Sequence, residues 1–96
     1  MLKTITLDGE QTIYQAGETH QLFVQALKDS EQEIVVDLSH ITEADSSLLQ
    51  ILIWLQHEGV RLNRPVQLLN PSHAIKDVIG LLGLHASFPA DFGATS

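Results

Sequence analysis

Lys3 to Leu7 alternates, with Ile5 and Leu7 on one side and Thr4 and Thr6 on the other. That two-residue period predicts a strand, and Asp8-Gly9 is expected to end it. Thr19 to Lys28 changes period. Leu22, Phe23, Ala26 and Leu27 share one helical face and Gln21, Gln25 and Lys28 the other, with a start near Ala16. Ile34-Val35-Val36, then Leu38, is a continuous apolar run, which predicts a strand covered on both faces. Ser46 to Glu58 reads as the next helix and Val66 to Leu69 as the next strand. Asn70-Pro71-Ser72 opens a last helix, in which Ile75, Val78, Ile79 and Leu82 recur at helical spacing. Gly83 is expected at its C-cap, with Leu84 folding back. The order β-α-β-α-β-α predicts an α/β domain with a mostly parallel sheet.

Length and composition limit what such a domain does. The 96 residues suffice for one domain, spanning 1–96, with Ala90 to Ser96, small or polar apart from Phe92, expected as a loose tail. Hydrophobic residues make up 44%, the balance of an ordinary globular domain, and the formal charge is −7. The cations Lys3, Lys28, Arg61, Arg64 and Lys76 are scattered, so neither nucleic acid nor an anionic membrane surface is expected as partner. A protein carrying complementary charge is. With no cysteine, thiol catalysis, disulfides and thiolate zinc sites are excluded. The longest apolar run, Ile51 to Leu55, is far below the ~20 residues of a membrane span. The first residues do not read as a signal peptide, and a cytoplasmic location is expected.

The most informative stretch is Asp37 to Trp54, where a buried strand exits through an acidic loop into Asp45-Ser46-Ser47 and a largely apolar helix. Asp45 or Ser46 there is suited to cap the helix. A serine hydroxyl at a helix N-terminus is also a good place for a phosphate, which the dipole and free N–H groups stabilise. Both readings stand on the sequence alone. On the same helix Ser46, Gln50, Trp54, His57 and Arg61 form a stripe opposite Leu48, Ile51, Leu52 and Leu55. Trp54 is therefore expected to be partly exposed, either covering the core edge or binding a partner.

Four segments in order resemble the STAS domain family (sulphate transporter and anti-sigma factor antagonist domains). Leu7-Asp8-Gly9-Glu10 resembles the family's Gly-Glu turn, and Thr12-Ile13-Tyr14 resembles the residues after that turn in short bacterial members. Ile34 to Ser39 resembles the central strand. Asp45-Ser46-Ser47 with Leu49 resembles the phosphorylation loop. Leu69 to Ser72, with Ile75 and Leu82 to Leu84, resembles the closing strand and helix. The resemblance implies a mostly parallel or mixed sheet of about four strands with helices, the family's first strand missing because Lys3 to Leu7 already matches the second. It implies a phosphorylation-regulated interaction switch like an anti-sigma factor antagonist. Ser46 would be the phosphoacceptor and Ser47 the secondary one, with a Ser/Thr kinase or anti-sigma factor as partner. Asp45, Glu43, Leu48, Gln50, Trp54, Thr12 and Tyr14 are the expected partner contacts. Leu48 stands where the family has glycine, and Thr12 where the antagonists often have an acid. The alternative is an unmodified assembly subunit of a lipid-transport ATP-binding cassette complex or a chemosensory system. A bare sheet edge would suit a homodimer or partner docking.

Other chemistry is weaker. His20, His40, His57, His73 and His85 show no metal-ligand spacing, so neither a metal nor another cofactor is expected. His40, Asp45 and Ser46 would form a nucleophilic trio only by folding together. The chain has no Gly-x-Ser-x-Gly elbow, so an enzyme is not expected.

Overall fold

The computed structural model describes residues 2–29, 33–89 and 92. Strand β1 (Leu2–Gln11), helix α1 (Ala16–Asp29), strand β2 (Glu33–Ala44), helix α2 (Ser46–Arg61), strand β3 (Val66–Leu69) and helix α3 (His73–Leu82) come in that order, then a short 3-10 turn at His85–Ser87. The strands form one sheet in the order β1-β2-β3, with both pairings parallel. Among the described residues the sheet thus has three strands, against the roughly four expected.

The β1 alternation places Ile5 and Leu7 on the same sheet face as Ile34, Val36, Leu38 and Leu68. Phe23 and Ala26 of α1, Leu48, Leu49, Leu52 and Leu55 of α2, and Ile75 and Ile79 of α3 close over that face. Each fully buried leucine contributes about 1.5–3 kcal/mol, so α2 with its four is the largest helical share. Val35 lies on the opposite face, outside this cluster. Its cross-strand neighbours Thr4 and Gln67 are exposed. Val35 is itself buried, while Thr4 and Gln67 beside it on that face lie open to solvent. A continuous apolar run in a central strand does not require helices on both sides.

Three local expectations change. β1 does not stop at Asp8-Gly9 but runs to Gln11. The pairing shifts by one residue between Thr6 and Asp8 and again between Gly9 and Glu10, β2 gaining a residue each time. Gly9, at φ 64°, takes up a left-handed conformation that other residues rarely adopt, so the Asp-Gly pair serves an irregular ladder rather than a turn. Leu22 is 45% exposed, because no strand lies beyond β1 to cover it among the described residues. Of the expected tail, only Phe92 falls within the described residues; it is 2% exposed and lies parallel to Phe88, with ring centroids 6.1 Å apart.

The end of α3 agrees with the sequence pattern. Ser72 Oγ accepts from the Ile75 N–H, Gly83 is left-handed at φ 67°, and the Leu84 N–H returns to the Ile79 carbonyl at 3.1 Å. Pro71 precedes the cap rather than opening the helix. Arg64, which reads in the sequence as one of several scattered cations, is buried. Its Nη1 donates to the Leu27 carbonyl at 2.7 Å and the Ala26 carbonyl at 3.4 Å, placing positive charge at the C-terminal end of α1 where the dipole favours it.

Gly59 lets α2 approach β3. A Cβ there would stand 2.6 Å from Val66 Cγ2 and 2.9 Å from the Arg64 carbonyl oxygen. Elsewhere in a helix Gly→Ala gains about 1 kcal/mol of propensity. Here the carbonyl is backbone and moves only with the chain, so the clash wins. Gly59→Ala is expected to destabilise the fold by about 1–3 kcal/mol, read as a lower urea midpoint with unchanged m-value.

Candidate functional site

The candidate site forms where β1 and β2 end and α2 begins. Asp45 is the N-cap of α2, in extended conformation. One carboxylate oxygen accepts the Ser47 N–H at 2.9 Å, as an N-cap should. The other accepts the Ile13 N–H, also at 2.9 Å, from the connection between β1 and α1. A single side chain therefore ties two segments 32 residues apart. That connection is itself fixed by Thr12 and Gln15. Gln15 Oε1 accepts from both the Thr12 N–H (2.9 Å) and the Thr12 hydroxyl (2.8 Å), the backward half of a capping box. The Gln15 N–H closes the turn onto the Thr12 carbonyl at 3.0 Å. Held this way, Ile13 is 62% and Tyr14 90% exposed.

The expected site residues divide accordingly. Ser46 is exposed at the first position of α2, and Ser47 is half-buried with its N–H held by Asp45. Gln50 is exposed one turn further on. Glu43 is exposed near the end of β2 and pairs in register with Glu10, so two carboxylates sit side by side next to the helix start. Thr12 is half-buried and Tyr14 stands out into solvent. Leu48 does not belong with them. It is 1% exposed and packs into the core, because the apolar spacing of α2 turns it inward. Trp54 is half-buried between α1 and α2, its ring 4.6 Å from that of His20 at a 52° tilt. It lines a cavity of about 300 Å³ with Val24, Leu27 and Leu62, so it covers the core edge and keeps part of its ring accessible. Sequence reasoning misses Ile13. Its only signal is an isoleucine beside a tyrosine directly after a strand, with no periodic partner.

His40 turns elsewhere. Its Nδ1 lies 3.1 Å from Ser39 Oγ and 4.0 Å from Asp37 Oδ2, on the loop side of β2. Both neighbours meet the same ring nitrogen, whereas a nucleophilic relay needs one at each. Both Asp45 oxygens are already occupied by backbone donors. The trio His40, Asp45 and Ser46 is therefore not assembled. No group of three or more His, Cys, Asp or Glu residues suited to a metal occurs among the described residues. No helix among them is long and apolar enough to cross a membrane.

The Asp37 carboxyl is held below its ordinary pKa, first by the Ser39 N–H (3.0 Å), then by the Ser39 hydroxyl, His40 and Asn70. Its folded value is depressed, so its support is present above the unfolded value and lost as pH falls through the folded one. An NMR titration of the Asp37 carboxyl carbon should give a midpoint below 3.8, and Ser39→Ala should move it upward. Asp45→Ala should cost about 1–2 kcal/mol through the lost cap. Asp45→Asn, which keeps one acceptor oxygen, should retain most of the cap yet release Ile13. In hydrogen exchange, the Ile13 amide should lose protection in both variants and the Ser47 amide mainly in Asp45→Ala.

No curated protein matches the chain. A family profile described as "Mlab, STAS domain" matches residues 3–89. Strand, cap and closing helix all fall inside that span, and the chain belongs to the STAS domain family.

Proposed function

We propose that this protein is a phosphorylation-regulated interaction switch resembling an anti-sigma factor antagonist. Ser46 is its phosphoacceptor and Ser47 the secondary one. Its partner is a Ser/Thr kinase-type protein that docks on a face made by Thr12, Ile13, Tyr14, Glu43, Asp45 and Gln50, with Trp54 at its far end. Such a switch would act in the cytoplasm as an interaction module rather than as an enzyme.

One observation carries the reading: an exposed serine at the first position of α2 stands one residue from the carboxylate that holds the exposed Ile13-Tyr14 pair. Apolar side chains presented by a fixed turn suit a partner surface. A phosphate on Ser46 would add about −1.5 to −2 charge beside Asp45 and the Glu10–Glu43 pair. It would convert a neutral hydroxyl within that surface into a repelling dianion. Leu48, in place of the family's glycine, turns into the core and so leaves the outer side of Ser46 open.

A second reading draws on the same charges. Asp45 already occupies the helix N-terminus, and the neighbouring carboxylates oppose another anion. That favours an unmodified assembly subunit, as in a lipid-transport ATP-binding cassette complex or a chemosensory system.

Mass spectrometry of the protein from its native cells, with and without phosphatase treatment, separates the two. The switch predicts phosphate on Ser46 and partner recovery that survives Ser46→Ala but falls at least tenfold with Ser46→Asp, about the effect of 1.4 kcal/mol. Tyr14→Ala should also weaken recovery at unchanged melting temperature. An unmodified Ser46 and Ser47 together with wild-type binding by Ser46→Asp would establish the assembly reading instead.

A further inference from the structure

β1 is an edge strand. It pairs with β2 on one side and, among the described residues, with no strand on the other. From Leu2 to Thr6 its register with β2 is unbroken, so this part of the edge is a regular template. Edge strands present a row of backbone N–H and C=O groups that recruits further strands unless charges, prolines or bulges blunt it. Here Lys3 is the one cation in β1, no proline interrupts it, and the irregular pairings begin only after Thr6.

Helix α1 overhangs this edge. Between them lies a cavity of about 300 Å³, walled by Thr6 and Asp8 from the strand and by Glu18 and Leu22 from the helix. The Thr19 hydroxyl donates to Gln11 Oε1 at 2.7 Å within it, so its inner polar groups are paired. Leu22 lies beside the buried Phe23 in an otherwise amphipathic helix, yet is 45% exposed. An apolar side chain spaced for burial, set over a strand edge that is unpaired among the described residues, leaves a place for a further strand. The walls carry Asp8 and Glu18 and no cation.

The geometry points to the outer edge of β1 as the docking site for an extended segment of a basic partner protein. The segment adds a strand alongside Lys3 to Thr6, places an apolar side chain on Leu22, and sets lysine or arginine against Asp8 and Glu18. A second copy of this chain fits less well, because it brings the Asp8 and Glu18 walls of two copies together on chains of net charge −7. This surface is separate from the Ser46 face and stands whether or not that serine is modified.

The test titrates the ¹⁵N-labelled protein with a short synthetic peptide alternating valine and threonine, with lysines at either end. A counterpart with glutamate for lysine serves as the control. Expected are amide shifts confined to Lys3–Asp8 and Glu18–Leu22 with the lysine peptide and none with the glutamate peptide. The double variant Asp8→Lys, Glu18→Lys should weaken binding about tenfold or more, since each reversal replaces an attraction with a repulsion. Leu22→Ser should weaken it too, while Ser46→Asp leaves it unchanged. Absence of shifts at millimolar peptide, equal binding of both peptides, or shifts centred on Ile13 and Ser46 would overturn the proposal. So would a concentration-dependent dimer in sedimentation that Asp8→Lys, Glu18→Lys strengthens.

Discussion

The carboxylate of Asp45 is the one interaction on which the candidate surface depends. Its two oxygens accept backbone N–H groups from two different segments, Ser47 in α2 and Ile13 after β1. Only a carboxylate does this without turning a donor toward a donor, since an amide of the same shape has a single acceptor oxygen. Charge-assisted bonds of this kind are roughly twice as strong as neutral ones. The negative group also stands at the positive end of the α2 dipole. Without it, the turn bearing Ile13 and Tyr14 would still be closed by Thr12 and Gln15, but it would lose the bond that fixes it to the helix carrying Ser46.

The parallel sheet explains why these segments meet. In a β-α-β-α order every strand-to-helix connection lies at the carboxyl ends of the parallel strands, and the helix starts gather there. The connection after β1 supplies Thr12 to Gln15, the one after β2 is Asp45 alone, and the one after β3 is Asn70 to Ser72. The Ser72 N–H donates to the Leu38 carbonyl at 3.2 Å, which draws the third connection back onto the central strand. At the amino ends of the strands the helices end and the work is different: Gly59 permits close approach, and Arg64 answers the free carbonyls of α1. One end of the sheet is thus built for display and the other for closure.

Most of this architecture is legible in the sequence because it arises from periodicity. β3 and the C-cap of α3 fall where the pattern places them, and α2 begins at Ser46 as read. What is not legible depends on neighbours that periodicity does not see. Leu22 has the spacing of a core residue, but its burial needs a strand beyond β1. Leu48 is expected from the sequence among the partner contacts, yet its place on the apolar side of α2 commits it to the core. Arg64 looks like any surface cation until the fold brings α1's last carbonyls, 37 residues earlier in the chain, within reach of its guanidinium. The bond from Ile13 to Asp45 has the same character, because a backbone donor carries no side-chain signature.

Gln11 connects the β1 edge with the Ser46 face. It is the last residue of β1 and nearly buried, with its Nε2 donating to the Asp8 carbonyl at 3.1 Å and its Oε1 accepting from Thr19 at 2.7 Å. A buried amide left partly unsatisfied would cost about 1–3 kcal/mol; the Thr19 bond holds the end of the strand against α1, and the Asp8 bond braces the strand's own backbone. On one side of Gln11 lies the exposed edge with Asp8 and on the other the turn beginning at Thr12. A strand added to the edge would bear on the Asp8 backbone that Gln11 grips. The turn, in its own right, is held by Asp45. The polar side chains at the end of β1 therefore serve as a rigid joint: each surface is set by its own hydrogen bonds, and the short segment from Asp8 to Ile13 is the only covalent path between them along the strand.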